Sequence, residues 1–249
     1  KLIMEVDAVP KTADALPPMP VSVQPFLHQL RAYRFTLGLF DVAASEVHSR
    51  GAALLMEMGT GKSLTAIAVS GTMYRLNQVR RLLIVSPLSI TGVWAEEFEK
   101  FAAFPYTLSV LEGNSDKKRK TLRSFCGEGL NVLVINYESA WRLEKDLAAW
   151  KPDMVICDEG HKIKTHNTSV SKAMHKMGAV AKYRMLLTGT PVTNRAIDIF
   201  SQYKFLNPGV FGSSFYAFRS KYFFMTGYGQ HTPVMKESME EAFTRRMHS

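Results

Sequence analysis

The sequence has little cysteine and no long apolar run. Its two cysteines among 249 residues, Cys126 and Cys157, cannot form a disulfide framework, and neither lies at metal-ligand spacing from a histidine. No apolar stretch approaches the ~18 residues of a membrane span, and the N-terminus lacks a signal-peptide pattern. These absences exclude a disulfide-stapled fold and a membrane protein. We expect a soluble intracellular protein, either cytoplasmic or located in the nucleoid or nucleus.

Acidic residues are fewer than basic ones. The chain has 22 Asp and Glu against 31 Lys and Arg, a formal net charge of +9. Such a balance favours polyanion partners, because each phosphate neutralised by Lys or Arg releases condensed counterions. The densest basic run, Lys117 to Lys120, is interpreted as a solvated helix face in preference to a phosphate contact. Because the chain begins at Lys1 and ends in a charged stretch, we expect it to be a segment of a longer protein.

Short apolar runs alternate with amphipathic stretches after residue 51, and helical spacing already covers residues 26–47. The predicted strands are Ala52–Met56, Leu82–Ser86, Thr107–Leu111, Val132–Asn136, Met154–Cys157 and Arg184–Leu187. The predicted helices are Ser63–Leu76, Gly92–Phe101, Lys117–Phe125, Ser139–Ala149, Val170–Gly178 and Ala196–Phe205. This alternation predicts an α/β fold with a mostly parallel sheet, helices on both faces and ligands at the carboxyl ends of the strands.

Three regions follow from this pattern. Residues 1–20, rich in proline, are predicted to be an extended lead-in with no role in the core. Residues 21–207 form the α/β domain. After Pro208 aromatic residues and glycines increase, which predicts a small appended helical and aromatic segment over 208–249.

A phosphate-binding loop follows the first predicted strand. Gly59 and Gly61 let the backbone N–H groups turn inward, Lys62 reaches the outer phosphates, and Ser63 offers a hydroxyl to Mg²⁺. The outer glycine of the general motif falls at position 56, which is methionine. Strand, glycine loop and helix nevertheless occur in the required order.

An acidic box ends the strand Met154–Cys157. Asp158 is predicted to hold the water shell of Mg²⁺, and Glu159 to orient or deprotonate the attacking water. His161 would lie beside the γ-phosphate and sense it. Asp-Glu-Gly is also ordinary loop chemistry, but the upstream phosphate loop favours the catalytic interpretation.

Together these motifs resemble the Swi/Snf-type family of superfamily-two helicase-like ATPases, which are DNA translocases, over roughly residues 24–225. Six segments in collinear order carry the resemblance: Phe26 to Gln29, Met58 to Ser63, Leu83 to Ser89, Asn136 to Glu138, Asp158 to Lys164, and Leu187 to Asn194. The family also lacks the outer glycine of the phosphate loop. One departure is Gly160, where the family usually has alanine.

The resemblance implies the N-terminal RecA-like lobe of a P-loop NTPase, with ATP and Mg²⁺ as cofactors and double-stranded DNA as a sequence-independent partner. It implies the following roles: Gln29 reads adenine; Met58, Gly59, Thr60, Gly61, Lys62 and Ser63 bind the nucleotide; Lys62, Asp158, Glu159 and His161 are catalytic; Ser63 and Asp158 hold Mg²⁺; Pro87, Leu88, Ser89, Tyr137 and Thr190 contact DNA; and Thr188, Gly189 and Thr190 couple the two sites. Trp94 is interpreted as helix packing.

A second RecA-like lobe should complete the site, because in these motors arginines of that lobe stabilise the transferred phosphoryl group. The isolated chain is therefore predicted to hydrolyse ATP weakly. Alternatives remain open: a strand-separating helicase, the motor of a restriction system, or a nucleotide-gated binding or scaffold module. The combination of Lys62, Asp158 and Glu159 argues against the last, since a switch without hydrolysis needs no water-activating carboxylate.

Overall fold

A six-stranded parallel sheet forms the centre of the protein. The computed structural model describes residues 16–189, 196–227, 229 and 232–247. The strands, in chain order, are β1 (Gly51–Leu55), β2 (Arg81–Ser86), β3 (Tyr106–Val110), β4 (Leu130–Asn136), β5 (Met154–Asp158) and β6 (Tyr183–Thr188). They lie side by side in the order β1-β6-β5-β2-β4-β3, and every neighbouring pair is parallel.

Helices cover both faces of this sheet. They are α1 (Leu27–Leu39), α2 (Lys62–Arg75), α3 (Val93–Phe101), α4 (Ser115–Ser124), α5 (Tyr137–Arg142), α6 (Glu144–Trp150), α7 (Ser169–Val180) and α8 (Ile199–Leu206). One buried cluster joins α1, α2 and α3 to the sheet, and a second joins α4 to α8 to the opposite face. The predicted α/β class, with a parallel sheet between two helical layers, is confirmed.

The central strand β2 shows why the strands have continuous apolar runs. Leu82 and Ile84 belong to one buried cluster, Leu83 and Val85 belong to the other, and none of the four is exposed. Successive side chains of a strand point to opposite faces, so a strand covered on both sides needs apolar residues at every position.

Two predicted helices differ from the structure. The helical spacing over residues 26–47 gives a helix only to Leu39, because Asp41 adopts a left-handed backbone conformation (φ 62°) and ends the run. The predicted helix Ser139–Ala149 is two helices, with buried Leu143 at the break (φ −104°, ψ 20°). Both differences concern helix ends and leave the order of elements unchanged.

The lead-in has a role in the core, contrary to the prediction. Leu16 and Met19 pack against the first buried cluster, and the hydroxyl of Tyr33 donates to the carbonyl oxygen of Pro17. Further along, Val21 forms an antiparallel bridge with Ala102. Residues 16–20 form no helix or strand, and residues 1–15 lie outside the described part.

The appended segment is held together by aromatic rings. It contains α9 (Pro208–Phe211), α10 (Phe215–Tyr222), a hairpin of β7 (Phe223–Thr226) and β8 (Thr232–Met235), and α11 (Glu237–Met247). Its buried cluster also includes Ile197, Ile199 and Phe200, which precede the predicted boundary at Pro208. Helix α8 therefore belongs to both regions. None of the described helices is long and apolar enough to cross a membrane.

Candidate functional site

The carboxyl edge of the sheet collects the sequence motifs. The glycine loop follows β1, residues 188–189 end β6, the acidic box follows β5, residues 87–89 follow β2, and residues 136–138 follow β4. The glycine loop and the acidic box follow β1 and β5, which are separated by β6. Neighbouring strands lie about 5 Å apart, so the ends of β1 and β5 are about 10 Å apart. Residues nearly one hundred positions apart in sequence thus meet at one edge.

The glycine loop has the backbone that its glycines permit. Gly59 (φ 78°) and Gly61 (φ 88°) both adopt left-handed conformations, and Gly61 is the N-cap of α2. Ser63 lies in the first turn of α2 and is half-buried. Met58 projects into solvent with 82% of its surface exposed. The first N–H groups of α2 and the positive end of its dipole therefore face the loop, as an anion site requires.

Lys62 is held by its own loop. Its Nζ donates to the carbonyl oxygens of Met56 and Glu57, both at 3.0 Å. At the end of β6, Gly189 lies against the same group: a Cβ added there would be 3.1 Å from Cγ of Met58 and 3.6 Å from Nζ of Lys62. Glycine at 189 therefore lets β6 end close to the loop.

Asp158 lies buried at the tip of β5, with 9% exposure. Its Oδ1 accepts from the backbone N–H of Glu159 (2.9 Å), and its Oδ2 accepts from Nε1–H of Trp94 (3.1 Å). Burial raises the pKa of the Asp158 carboxyl, while these two hydrogen bonds and the charge of Lys62 lower it.

Glu159 and His161 follow in a tight turn. Glu159 adopts a left-handed conformation (φ 50°, ψ 57°), which is uncommon for a residue with a long side chain and is concentrated at functional sites. Its Oε2 lies 3.2 Å from Nδ1 of His161. The two atoms are not aligned for a hydrogen bond, and Nδ1 is a buried polar atom without a hydrogen-bond partner among the described residues.

The glycine at position 160 has a local cause. A Cβ at this position would lie 2.3 Å from Cγ of Leu186, which is buried in the adjacent strand β6. The family's usual alanine therefore does not fit beside this leucine without a shift. The carbonyl oxygen of Gly160 accepts from Nε2 of Gln202 in α8 (3.2 Å), which fixes the turn from the other side.

Gln29 packs against the glycine loop. Its Nε2 donates to the carbonyl oxygen of Thr60 (3.0 Å), and its Oε1 accepts from the N–H of Phe26 (2.9 Å). Nε2 of His28 reaches the same Thr60 oxygen at 2.9 Å. The structure thus brings Gln29 to the nucleotide loop, while its reading of adenine stays a prediction.

The predicted DNA contacts differ in accessibility. Leu88 and Ser89 are exposed, Leu88 at 73%, and Pro87 is half-buried. Tyr137 is only 7% exposed, and its hydroxyl donates to the carbonyl oxygen of Asp158 at 2.6 Å. The predicted DNA contact of Tyr137 does not fit this position, because the side chain supports the acidic box and has no surface to offer to DNA.

The coupling segment is described only in part. Thr188 is buried at the end of β6, opposite Leu55 in register, and its carbonyl oxygen accepts from the N–H of Met56. Thr190 and the residues to 195 lie outside the described part of the chain. The predicted coupling role of Thr188, Gly189 and Thr190 therefore stays a prediction.

The basic run on α4 is more than a solvated face. Lys118 is buried, and its Nζ donates to Oγ of Ser139 at 2.6 Å. Arg119 pairs with Asp116 and with Asp146 of α6, at 3.2 Å each. The first and last lysines of the run are exposed. Half of the run thus fixes α4 to its neighbours.

Three side chains of the site have no functional role in the sequence-based prediction. Trp94, His28 and Gln202 each contact the acidic box or the glycine loop through one hydrogen bond. For Trp94 the sequence suggests only a packed helix, and its burial at 2% confirms the packing. Its partner lies 64 positions away, so spacing cannot reveal the contact. The described residues contain no group of three or more His, Cys, Asp or Glu side chains placed to hold a metal ion on their own.

The parallel sheet with a glycine-lysine loop at one strand tip and an Asp-Glu pair two strands away defines a RecA-like P-loop lobe. The SNF2-related domain family matches residues 28–249. The chain therefore belongs to the family of SNF2-related domains. The resemblance inferred from the six motifs is confirmed.

Curated relatives agree with this assignment. The chain is 31% identical over 200 residues to the DNA repair and recombination protein RAD54-like of Drosophila persimilis, a match that covers 75% of this chain and 25% of that protein. It is 30% identical over 216 residues to the protein of the same name from Gallus gallus, covering 79% and 29%. The chain thus spans between a quarter and a third of the length of these relatives.

Solved structures show the same fold. The Sulfolobus solfataricus SWI2/SNF2 ATPase core in complex with dsDNA superposes with a TM-score of 0.72 and 26% identity, covering 92% of this chain and 45% of that one. The Sulfolobus solfataricus SWI2/SNF2 ATPase core domain gives a TM-score of 0.67 at the same identity, covering 85% and 40%. The chain corresponds to somewhat less than half of that core.

Proposed function

We propose that this chain is the ATP-binding lobe of a DNA-dependent ATPase that moves along double-stranded DNA. The observation that supports it is the meeting of Lys62 with Asp158 and Glu159 at one edge of the sheet. A phosphate-binding amine and a carboxylate pair in one place form the basic equipment for hydrolysing a nucleoside triphosphate.

The residues present fit a magnesium nucleotide. Gly59 and Gly61 open the loop so that the N-terminus of α2 faces an anion, and Ser63 stands where its hydroxyl can support a cation. Asp158 supplies the hard oxygen donor that Mg²⁺ prefers. When bound, the ion neutralises phosphate charge. Lys62 then exchanges its two carbonyl contacts for phosphate oxygens, which hold the ammonium more strongly because they are charged.

Glu159 is the proposed residue that orients the attacking water. Its side chain projects from a backbone turned away from the strand direction, and Asp158 and Gly160 on either side are fixed by hydrogen bonds. A base needs a fixed position relative to the water, and the surrounding contacts supply it. His161 lies close enough to Glu159 to respond to its contacts with phosphate or water.

Double-stranded DNA is the proposed track. One solved relative is a complex with dsDNA, and the Drosophila and Gallus relatives are DNA repair and recombination proteins. In this chain the exposed turn at Leu88 and Ser89 lies beside the acidic box, three strand positions along the edge from the glycine loop. Backbone contacts by such a turn are independent of sequence, and the net charge of +9 favours them.

A second RecA-like lobe is the proposed partner that completes the site. The solved ATPase core is more than twice as long as the part matched here. Arginines supplied across such a site raise phosphoryl transfer by roughly 10³- to 10⁵-fold. The 249 residues alone should therefore bind nucleotide weakly and turn it over slowly, with little response to DNA.

The substitution Glu159→Gln tests this function. It keeps the shape of the side chain and removes the base, so we expect ATP turnover by the full-length protein to fall by at least about 100-fold. ATP binding should persist, because the phosphate loop is untouched. Turnover is measured with and without duplex DNA, and nucleotide binding is measured by fluorescence of a labelled ATP.

Glu112→Gln is the matched control, since Glu112 is exposed on the loop after β3 and should leave turnover unchanged. Unchanged turnover in Glu159→Gln would remove Glu159 from the proposed role. Wild-type turnover stimulated by single-stranded DNA alone, with separation of duplex strands, would identify a strand-separating helicase instead.

A further inference from the structure

Trp94 connects the turn after β2 with the acidic box after β5, which belong to two different sequence motifs. It is the second residue of α3, and the short 3₁₀ turn Leu88–Ile90 lies just upstream. That turn is exposed, whereas the indole of Trp94 points inward and is 2% exposed. The inward side chain reaches Oδ2 of Asp158 at 3.1 Å.

The carboxylate of Asp158 is held at both oxygens. The N–H of Glu159 fixes Oδ1, and the indole N–H fixes Oδ2. The first donor belongs to the acidic box itself and moves with it. The second comes from α3, so it relates the plane of the carboxylate to that helix.

The indole of Trp94 is well suited to orient a carboxylate. Its N–H donates and cannot accept, so it pairs with a carboxylate and leaves no ambiguity in the orientation of that oxygen. Phe98 packs beside the ring, with centroids 6.5 Å apart, and limits its rotation. Groups that orient a metal-binding carboxylate in this way commonly control metal affinity without touching the metal.

We propose that Trp94 is a positioning residue for the carboxylate that holds magnesium, and that it makes the orientation of Asp158 depend on the exposed turn Leu88–Ile90. This inference rests on the proposed function. A ligand that displaces the turn also displaces the start of α3, and the indole transmits that displacement to Oδ2. Contact with DNA at the turn would thereby alter the magnesium site directly.

The first test compares Trp94→Phe with Trp150→Phe in the full-length protein. Both positions are buried, and the chemical change is the same, but Trp150 packs in the other helical layer and is stacked by Arg81. The measurement is the Mg²⁺ concentration needed for half-maximal binding of a fluorescent ADP. We expect this concentration to rise about 10- to 100-fold in Trp94→Phe and to stay unchanged in Trp150→Phe. ADP binding without Mg²⁺ should be unchanged in both.

The possible outcomes distinguish a failure of the positioning role from a failure of the proposed function. An unchanged Mg²⁺ requirement in Trp94→Phe would overturn the positioning role. An equal loss of binding with and without Mg²⁺ would also overturn it, because Trp94 would then only stabilise the fold. If the wild-type protein binds ADP without any effect of Mg²⁺, the proposed function itself fails, and this inference fails with it.

A second test keeps the native side chain, in case Trp94→Phe does not fold. Tryptophan is labelled with nitrogen-15 in the full-length protein, every tryptophan other than Trp94 is replaced in turn by phenylalanine, and the indole resonance that persists in all of these variants belongs to Trp94. We expect the Trp94 resonance to shift with Mg²⁺ and ADP and to stay in place with ADP and a chelator. Added duplex DNA should shift it again. No shift with Mg²⁺ overturns the positioning role, and no shift with DNA overturns the link to the turn.

Discussion

Buried aromatic residues act differently in the two regions of this lobe. Beside the acidic box, Trp94 and Tyr137 each donate a hydrogen bond to Asp158, one to its side chain and one to its backbone. In the appended segment, Phe211, Phe218 and Phe243 pack ring against ring, at centroid distances of 5.1 to 6.2 Å. Large apolar surface stabilises both regions, but in the first region the polar atoms of the aromatic side chains also hold Asp158. Substitutions should therefore affect stability in one region and chemistry in the other.

The largest effect on stability is expected for Phe218→Ala. Phe218 is 2% exposed and contacts the rings of five other aromatic residues of the appended cluster. Removing the ring leaves a cavity, and the free energy of unfolding should fall by about 3–5 kcal/mol. Denaturant unfolding measures this value. Phe224→Ala is the matched control: with 59% exposure it should change the free energy by no more than about 0.5 kcal/mol. Equal effects at both positions would refute the packed cluster.

Lys62→Ala should reduce ATP turnover and leave stability nearly unchanged, the opposite of the effect expected for Phe218→Ala. The side chain is proposed to stabilise the phosphate charge, so its loss should lower ATP turnover of the full-length protein by about 100- to 1,000-fold. Among the described residues its ammonium group donates to two loop carbonyls, and the unfolding free energy should change by less than about 1 kcal/mol. Lys120→Ala, on exposed helix α4, serves as the control with unchanged turnover. If the loss of activity in Lys62→Ala is explained entirely by unfolding, the side chain acts on stability and the proposed role in turnover is wrong.

Gly160→Ala should change the unfolding free energy by an amount between those of Phe218→Ala and Lys62→Ala, because it affects packing within the site. The added methyl group meets Leu186, and such overpacking costs about 1–3 kcal/mol of unfolding free energy. Gly92→Ala is the control: its backbone is helical (φ −67°), a Cβ would meet nothing within 4 Å, and the change should be neutral or stabilising.

Combining Gly160→Ala with Leu186→Ala should recover part of the cost of Gly160→Ala, since the second change removes the obstructing atoms. A double-mutant cycle by denaturant unfolding measures this coupling. Strictly additive effects would show that residues 160 and 186 do not limit each other.

The smallest expected effect is a pH dependence at the junction of the two regions. Nε2 of His175 in α7 lies 3.0 Å from the carbonyl oxygen and 3.1 Å from the hydroxyl of Ser201 in α8. Burial lowers the pKa of His175 to about 4. In the unfolded chain the pKa is about 6.5, so the unfolded state takes up the proton first as the pH falls.

The unfolding free energy should therefore decrease as the pH falls from 6.5 to 4, by about 1–2 kcal/mol after allowing for partial solvent access to the ring. Above pH 6.5 this histidine should contribute no pH dependence. Comparing the stability of the wild-type protein with that of His175→Gln across this range isolates the contribution. The same slope in both proteins would assign it to other groups.

The sequence predicted the sheet and its two motif-bearing strand ends well. Continuous apolar runs follow directly from burial on both faces, as in Leu82 to Val85, and the glycine-lysine loop is local in sequence. Contacts such as Trp94 with Asp158, or Gly160 with Leu186, depend on the order of strands and helices, which periodicity does not give.

The hairpin of the appended segment was missed for a different reason. Pro233 lies within β8, and proline cannot donate to a strand ladder, so it argues against a strand unless the strand lies at an edge. Both strands of this two-stranded sheet are edges, which removes the objection. Phe224 and Val234 face each other across it and are both exposed, so no apolar alternation marks the pair.

The position of Lys62 has a consequence for ligand selection. The two carbonyl oxygens that accept from its ammonium group brace the loop, so little conformational entropy should be lost when the proposed nucleotide binds. The same contacts mean that a ligand must outcompete them. Neutral or singly charged molecules have little to offer the ammonium in exchange, whereas a polyphosphate does. If the loop binds the proposed nucleotide, it should therefore discriminate by charge before any base is recognised.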